Sequence, residues 1–261
     1  MMPVHPSITP HEDVNGVLFA LAHDLMTTFG GHLVGLYLTG SLSYGDFDRS
    51  SSDIDFVAVL EHAMTGRQRA AVAEMHAHIA ARYPVWQSRI EGSYVTREML
   101  ACVDPPGQAR PYVNGGELWS PDPVYGQEWI LNGYALHERG IAVVGPAPQT
   151  LFRDVGYAAY RDASIRSLRE EWAPLLRDAS PLEDSHQQAY VTLTVCRILY
   201  AARNDRLASK RSASQWVKQT HGIPWRDLIE KAEAWQHGGE MREAGTVQAF
   251  IEFAVDQVGG A

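Results

Sequence analysis

Between Val14 and Thr28 the apolar residues fall at helical spacing, with Val14, Val17, Leu18, Leu21 and Leu25 on one face. Asp13 stands before them as the expected N-cap and Gly30 after them as the stop. The pattern then shortens to strand length. Leu33 to Leu38 is a continuous apolar run, ended by Thr39-Gly40-Ser41. A turn-rich stretch from Ser43 to Ser52 leads into a second apolar strand, Asp53 to Leu60. A helix is predicted over Arg67 to Tyr83, where Pro84 ends it, and a third strand over Arg89 to Val95. Residues 103–127 are rich in Pro and Gly and read as an irregular loop.

A helix over Trp129 to Glu138 and a short strand over Ile141 to Val144 follow. From about Leu151 the pattern is helical throughout. Ser180-Pro181-Leu182-Glu183 matches a capping box with proline at the first helical position, opening a helix through Tyr200. Further helices are predicted near Ser212–Thr220, Trp225–Gln236 and Thr246–Val258. The expected organisation is an α/β domain over 1–150, with a mixed sheet and helices, and an all-α helical bundle over 151–261.

Composition narrows the function. No run approaches the roughly 20 apolar residues of a membrane span, and Met1 to Asp13 lacks a basic-then-apolar signal pattern. Cys102 and Cys196 lie far apart without metal spacing. A cytoplasmic protein with reduced thiols is expected, outside membranes. The net charge of −9 argues against nucleic acid as a partner. Its distribution is uneven: residues 1–65 hold eight Asp or Glu against Arg49 alone, whereas Arg197 to Lys218 holds six Lys or Arg against Asp205. An acidic half suits metal ions or a cationic substrate, and a basic segment suits phosphates.

The segment Leu36 to Leu60 carries the chemistry. Its order, Gly-Ser-x₃-Gly-x₇-Asp-x-Asp, runs through Gly40, Ser41, Gly45, Asp53 and Asp55 between two apolar strands. Strand alternation sends Asp53 and Asp55 to one face, where their mutual repulsion calls for a cation. Hard oxygen ligands suit Mg²⁺, which takes substrate phosphates as further ligands. Gly40 lets the backbone approach a phosphate, and Ser41 offers a hydroxyl and an N–H. Gly-Ser alone is a common turn, and Asp-x-Asp alone is commonly a solvated strand edge. The ordered combination is specific.

This segment resembles the signature of the DNA polymerase β-like nucleotidyltransferases. The rest of the chain is similar to the streptomycin/spectinomycin adenylyltransferase family through His137 to Pro146, Leu151-Phe152, Thr192 to Tyr200 and Ala208 to Trp216. The resemblance covers roughly residues 30–240. It implies ATP as co-substrate and Mg²⁺ as cofactor, with a third carboxylate, Glu91, as metal ligand or as the base for the acceptor hydroxyl. It also implies Arg197 and Lys210 on the ATP phosphates, Trp235 near the nucleotide, and Trp172 lining a drug pocket in an active site between the domains. Each has a plain structural alternative: an exposed strand glutamate, a helix salt bridge, a solvated lysine, a core tryptophan.

The acceptor implied is a small cationic polyhydroxyl compound, an aminoglycoside-type antibiotic, whose ammonium groups would meet Asp184 and its neighbours Glu170, Glu171, Asp178 and Glu183. A monomer is expected. Three alternatives stay open: another small hydroxyl acceptor, a protein side chain, or a non-catalytic partner of the same fold resembling an antitoxin.

Overall fold

The computed structural model describes residues 8–259. The stretch before Ile8, read above as lacking a signal pattern, lies outside the described residues. The chain divides into two compact units, the first ending at Asp154 and the second beginning at Val155, with the short segment Asp48–Ser51 grouped with the second.

The first unit holds α1 (Glu12–Phe29), β1 (Leu33–Leu38), α2 (Gly40–Tyr44), β2 (Ile54–Leu60), α3 (Gly66–Arg82), β3 (Ile90–Thr96), α4 (Arg97–Leu100), β4 (Tyr112–Asn114), β5 (Glu117–Leu118), α5 (Glu128–Arg139), β6 (Ile141–Val144) and α6 (Pro148–Leu151). Its six strands form one mixed sheet in the order β5-β4-β3-β2-β1-β6. Only β2 and β3 are parallel, joined through α3, and the remaining neighbours are antiparallel. Alternation divides β2 cleanly. Ile54, Phe56, Ala58 and Leu60 join one core with the apolar faces of α1 and α3, which leaves Asp55 on the opposite face.

Helix α1 buries Val14, Val17, Leu18, Leu21 and Leu25 completely, as their spacing requires. Its N-cap is His11, not Asp13. Asp13 sits in the first turn and accepts a hydrogen bond from Trp86 Nε1 at 3.0 Å. A carboxylate there also faces the positive end of the helix dipole. Helix α3 opens on a capping box built by Thr65 and Gln68.

The region read as an irregular loop contributes β4 and β5. Asn114-Gly115-Gly116 turns between them with φ of +61° and +78° at the two glycines. A Cβ at Gly116 would strike the Gln87 carbonyl, so glycine is required there.

The same core buries a histidine. His76 is 1% exposed, stacks on Phe56 at 5.9 Å, and its Nε2 lies 2.7 Å from the Tyr94 hydroxyl. Burial lowers its pKa from 6.5 to about 4. The unfolded chain therefore binds the extra proton first as pH falls. Above pH 6.5 this contributes no penalty. Between pH 6.5 and about 4 the native state should lose about 3 kcal/mol at this residue. Urea unfolding across that range, compared with His76→Gln, should show a steeper pH slope in the parent protein; equal slopes would remove His76 as the source.

The second unit contains α7 (Gly156–Ser167), a π turn over Leu168–Trp172, 3₁₀ turns over Ala173–Leu176 and Ser180–Glu183, α8 (Ser185–Arg203), α9 (Lys210–Thr220), α10 (Ile223–Ala234) and α11 (Ala244–Gly259). Helix α8 packs against α7, α9, α10 and α11. It buries Val191, Thr192, Val195, Cys196, Ile198 and Leu199. The expected Ser180 cap is displaced: Ser180–Glu183 closes as a 3₁₀ turn, and the Asp184 carboxylate caps α8 by accepting from the His186 and Gln187 amides. Both cysteines are free, Cys102 exposed and Cys196 buried. Among the described residues no helix is long and apolar enough to cross a membrane.

Candidate active site

The parallel pairing of β2 with β3 sets Asp55 opposite Glu91. Neighbouring strands lie about 4.8 Å apart and in-register side chains share a face, so the two carboxylates are neighbours on the face away from α1 and α3. Both are half-buried. The Thr39 amide donates to the Asp55 carbonyl at 3.1 Å, tying the end of β1 to the start of β2. Gly40 follows with φ +59°, in the left-handed region that favours glycine. A Cβ there would overlap the Asp55 carboxylate and come within 2.8 Å of its Cγ. The chain thus brings Gly40, Asp55 and Glu91 together.

Asp53 stands just before the strand. The strand begins at Ile54, and Asp53 precedes it with Oδ1 at 3.6 Å from Arg89 Nε. Arg89 is 8% exposed, donates to the Ser52 carbonyl, and lies over the Trp86 ring at 4.6 Å. Ser41 falls in the first turn of α2 rather than in a loop, and its Oγ is buried with no hydrogen-bond partner among the described residues. A buried hydroxyl in that condition carries a cost that an incoming oxygen would relieve.

In the helical unit, Arg197 is half-buried on α8, and Lys210 is the first residue of α9. Lys210 Nζ lies 4.5 Å from the centre of the Tyr190 ring. The Trp172 ring is 5.9 Å from the same tyrosine, with its Nε1 buried and unpartnered among the described residues. Trp235 ends α10, donates to the Gly239 carbonyl at 2.9 Å, and contacts His186 at 5.2 Å. Asp184 is exposed, and its carboxylate serves α8 as cap.

Sequence reasoning missed Tyr112, whose hydroxyl donates to Glu91 Oε1. It also missed Arg89 beside Asp53, and Tyr190 and His186 between the tryptophans. The last two had a signal: they recur at i and i+4 on α8, with Arg197 seven residues beyond Tyr190. A separate acidic grouping, His137, Glu138 and Asp154, holds ligand-type atoms within 4.8 Å of one another. His137 Nδ1 there lies 2.8 Å from the Phe152 carbonyl.

Residues 150–258 match the family model described as aminoglycoside adenylyltransferase, C-terminal domain. Over these residues the chain is similar to that family's C-terminal domain. No curated protein matches its sequence. Among solved structures, the spectinomycin adenyltransferase AAD(9) from Enterococcus faecialis, crystallised with ATP and spectinomycin, superposes with a TM-score of 0.73 at 15% identity. The match covers 94% of this chain and 99% of that one, so the two share a fold along nearly their whole length.

Proposed function

We propose that the protein transfers AMP from ATP to a hydroxyl of an aminoglycoside-type antibiotic and releases pyrophosphate. The observation that carries this is the in-register Asp55–Glu91 pair beside a glycine whose Cβ would occupy the carboxylate's space. The family match over 150–258 and the structural neighbour crystallised with ATP and spectinomycin support the substrate class.

Mg²⁺ fits this donor set. Asp53, Asp55 and Glu91 supply hard oxygens, and the Asp55 carboxylate holds its place only because position 40 lacks a Cβ that would overlap it. Bound there, the metal supplies positive charge to the triphosphate oxygens. Gly40 lets the protein main chain approach a phosphate, and Ser41 Oγ, buried without a partner among the described residues, donates to a phosphate oxygen. Glu91 accepts the proton of the acceptor hydroxyl. That oxygen forms its bond to the α-phosphorus as the bond to the bridging oxygen breaks, and pyrophosphate leaves with the electron pair. Arg197 and Lys210 are the groups proposed to neutralise the phosphates, and Trp235 to meet the base. Trp172 and Asp184 are proposed for the acceptor, through ring stacking and charge pairing. A chain acting alone on two small molecules is proposed to work as a monomer.

The test is pyrophosphate release from ATP and Mg²⁺ with a panel that includes streptomycin and spectinomycin, each scored separately. Release dependent on at least one drug is expected. Protein that binds ATP yet releases pyrophosphate with no member of the panel would remove the antibiotic from the proposal.

A further inference from the structure

Glu91 and Ser93 alternate onto one face of β3, and the antiparallel pairing with β4 sets Tyr112 beside Ser93. Tyr112 therefore projects from the same face, one step along the sheet from Glu91, and its hydroxyl donates to Glu91 Oε1. The ring is itself held. Trp119 meets it edge to face at 5.4 Å, and the Arg110 guanidinium lies 5.2 Å from its centre. Arg110 is an unusual anchor, a cation only 5% exposed. Its Nε donates to Ser93 Oγ at 3.3 Å, Nη1 donates to the Pro123 carbonyl at 3.0 Å, and its plane covers Tyr125 at 3.5 Å. A buried cation must be compensated, and here the compensation is the Glu128 carboxylate 3.8 Å from Nη2, two aromatic faces, a hydroxyl and a carbonyl.

Resting on the proposed role of Glu91, we propose that Tyr112 is a positioning residue, which fixes the Glu91 carboxylate beside Asp55, and that Arg110 fixes Tyr112. A glutamate side chain has more rotatable bonds to fix than an aspartate, whose carboxylate stays close to its strand. The phenol replaces that freedom with one hydrogen bond to a charged acceptor. A cation over the phenol ring favours the hydroxyl as donor, so Arg110 strengthens the same contact. The segment 103–127, with its Asn-Gly-Gly hairpin, thereby belongs to the chemistry rather than only to the sheet edge.

The test is a double-mutant cycle on kcat with Tyr112→Phe and Glu91→Gln. Removing the hydroxyl alone should lower kcat by about 10- to 100-fold, in line with small displacements of reacting groups, while KM for ATP stays within about two-fold. Glu91→Gln alone should cost about 10²–10⁴-fold. In the Glu91→Gln background, Tyr112→Phe should add less than about two-fold, because its effect passes through Glu91. A merely structural tyrosine would give multiplicative losses in the double variant, and that result, or an unchanged kcat in Tyr112→Phe, overturns the proposal while leaving Glu91 its role. A silent Glu91→Gln overturns both. Should Tyr112→Phe not accumulate as folded protein, Arg110→Lys, which keeps the charge and loses the planar fork, enters the same cycle with the same expected collapse.

Discussion

Asp55→Asn should lower AMP transfer by about 10³-fold or more without loss of the fold. Charge stabilisation by a carboxylate-held metal is worth several kcal/mol, and each 1.36 kcal/mol is a factor of ten. The substitution conserves shape, so the backbone bond from Thr39 to the Asp55 carbonyl is untouched. It also removes one of two carboxylates set opposite each other on β2 and β3. Without Mg²⁺ the melting temperature should therefore hold level or rise slightly, because like-charge repulsion is relieved. With Mg²⁺ the parent protein should gain stability and the variant should not, by the linkage of a ligand bound only to the native state. Asp53→Asn should behave less cleanly, since Asp53 also faces the buried Arg89 at 3.6 Å. Near-parent turnover in purified Asp55→Asn would falsify the site. Melting curves in EDTA and in Mg²⁺, with pyrophosphate release, separate these outcomes.

The elements legible in the sequence were those whose burial repeats. The five apolar positions of α1 and the unbroken run Leu33–Leu38 announce themselves because one face, or both, meets a core. Strands β4 and β5, of three residues and two, are too short for any period to register. The Asn114-Gly115-Gly116 sequence was nonetheless a hairpin signal, obscured by the surrounding prolines. Ser180 and Asp184 competed for one helix end, and composition alone ranks both as caps. What decides between them is that Leu182 is wholly buried, which draws Ser180–Glu183 into a tight turn and leaves Asp184 at the helix entrance. At the site, the proximity of Gly40 to Asp55 follows from a strand-turn-strand pattern within sixteen residues. The contact between Tyr112 and Glu91 depends on which strand pairs with which across twenty-one residues, and no spacing rule reaches that far. Arg89 beside Asp53 was hidden for the same reason.

Gly40→Ala should cost both stability and turnover. Two costs combine. A non-glycine residue at φ +59° costs about 1–2 kcal/mol, and forcing a carbon into packed space costs about 1–3 kcal/mol more. The added Cβ meets the Asp55 carboxylate, so the side chain moved is the one the chemistry needs. Stability should fall by about 2–5 kcal/mol, and kcat of the remaining folded protein by about 10²-fold, the scale of a displaced reacting group. The cause can be isolated by adding Asp55→Ala. Shortening the residue struck by the new methyl should return the overpacking share of the lost stability, so the double variant should unfold at higher denaturant than Gly40→Ala alone. The strain of the positive φ should persist, and so should the loss of activity, because no carboxylate remains at position 55. Additive stability losses would place the damage in the backbone alone, and a Gly40→Ala protein with parent-like kcat would show that the space beside Asp55 serves no substrate.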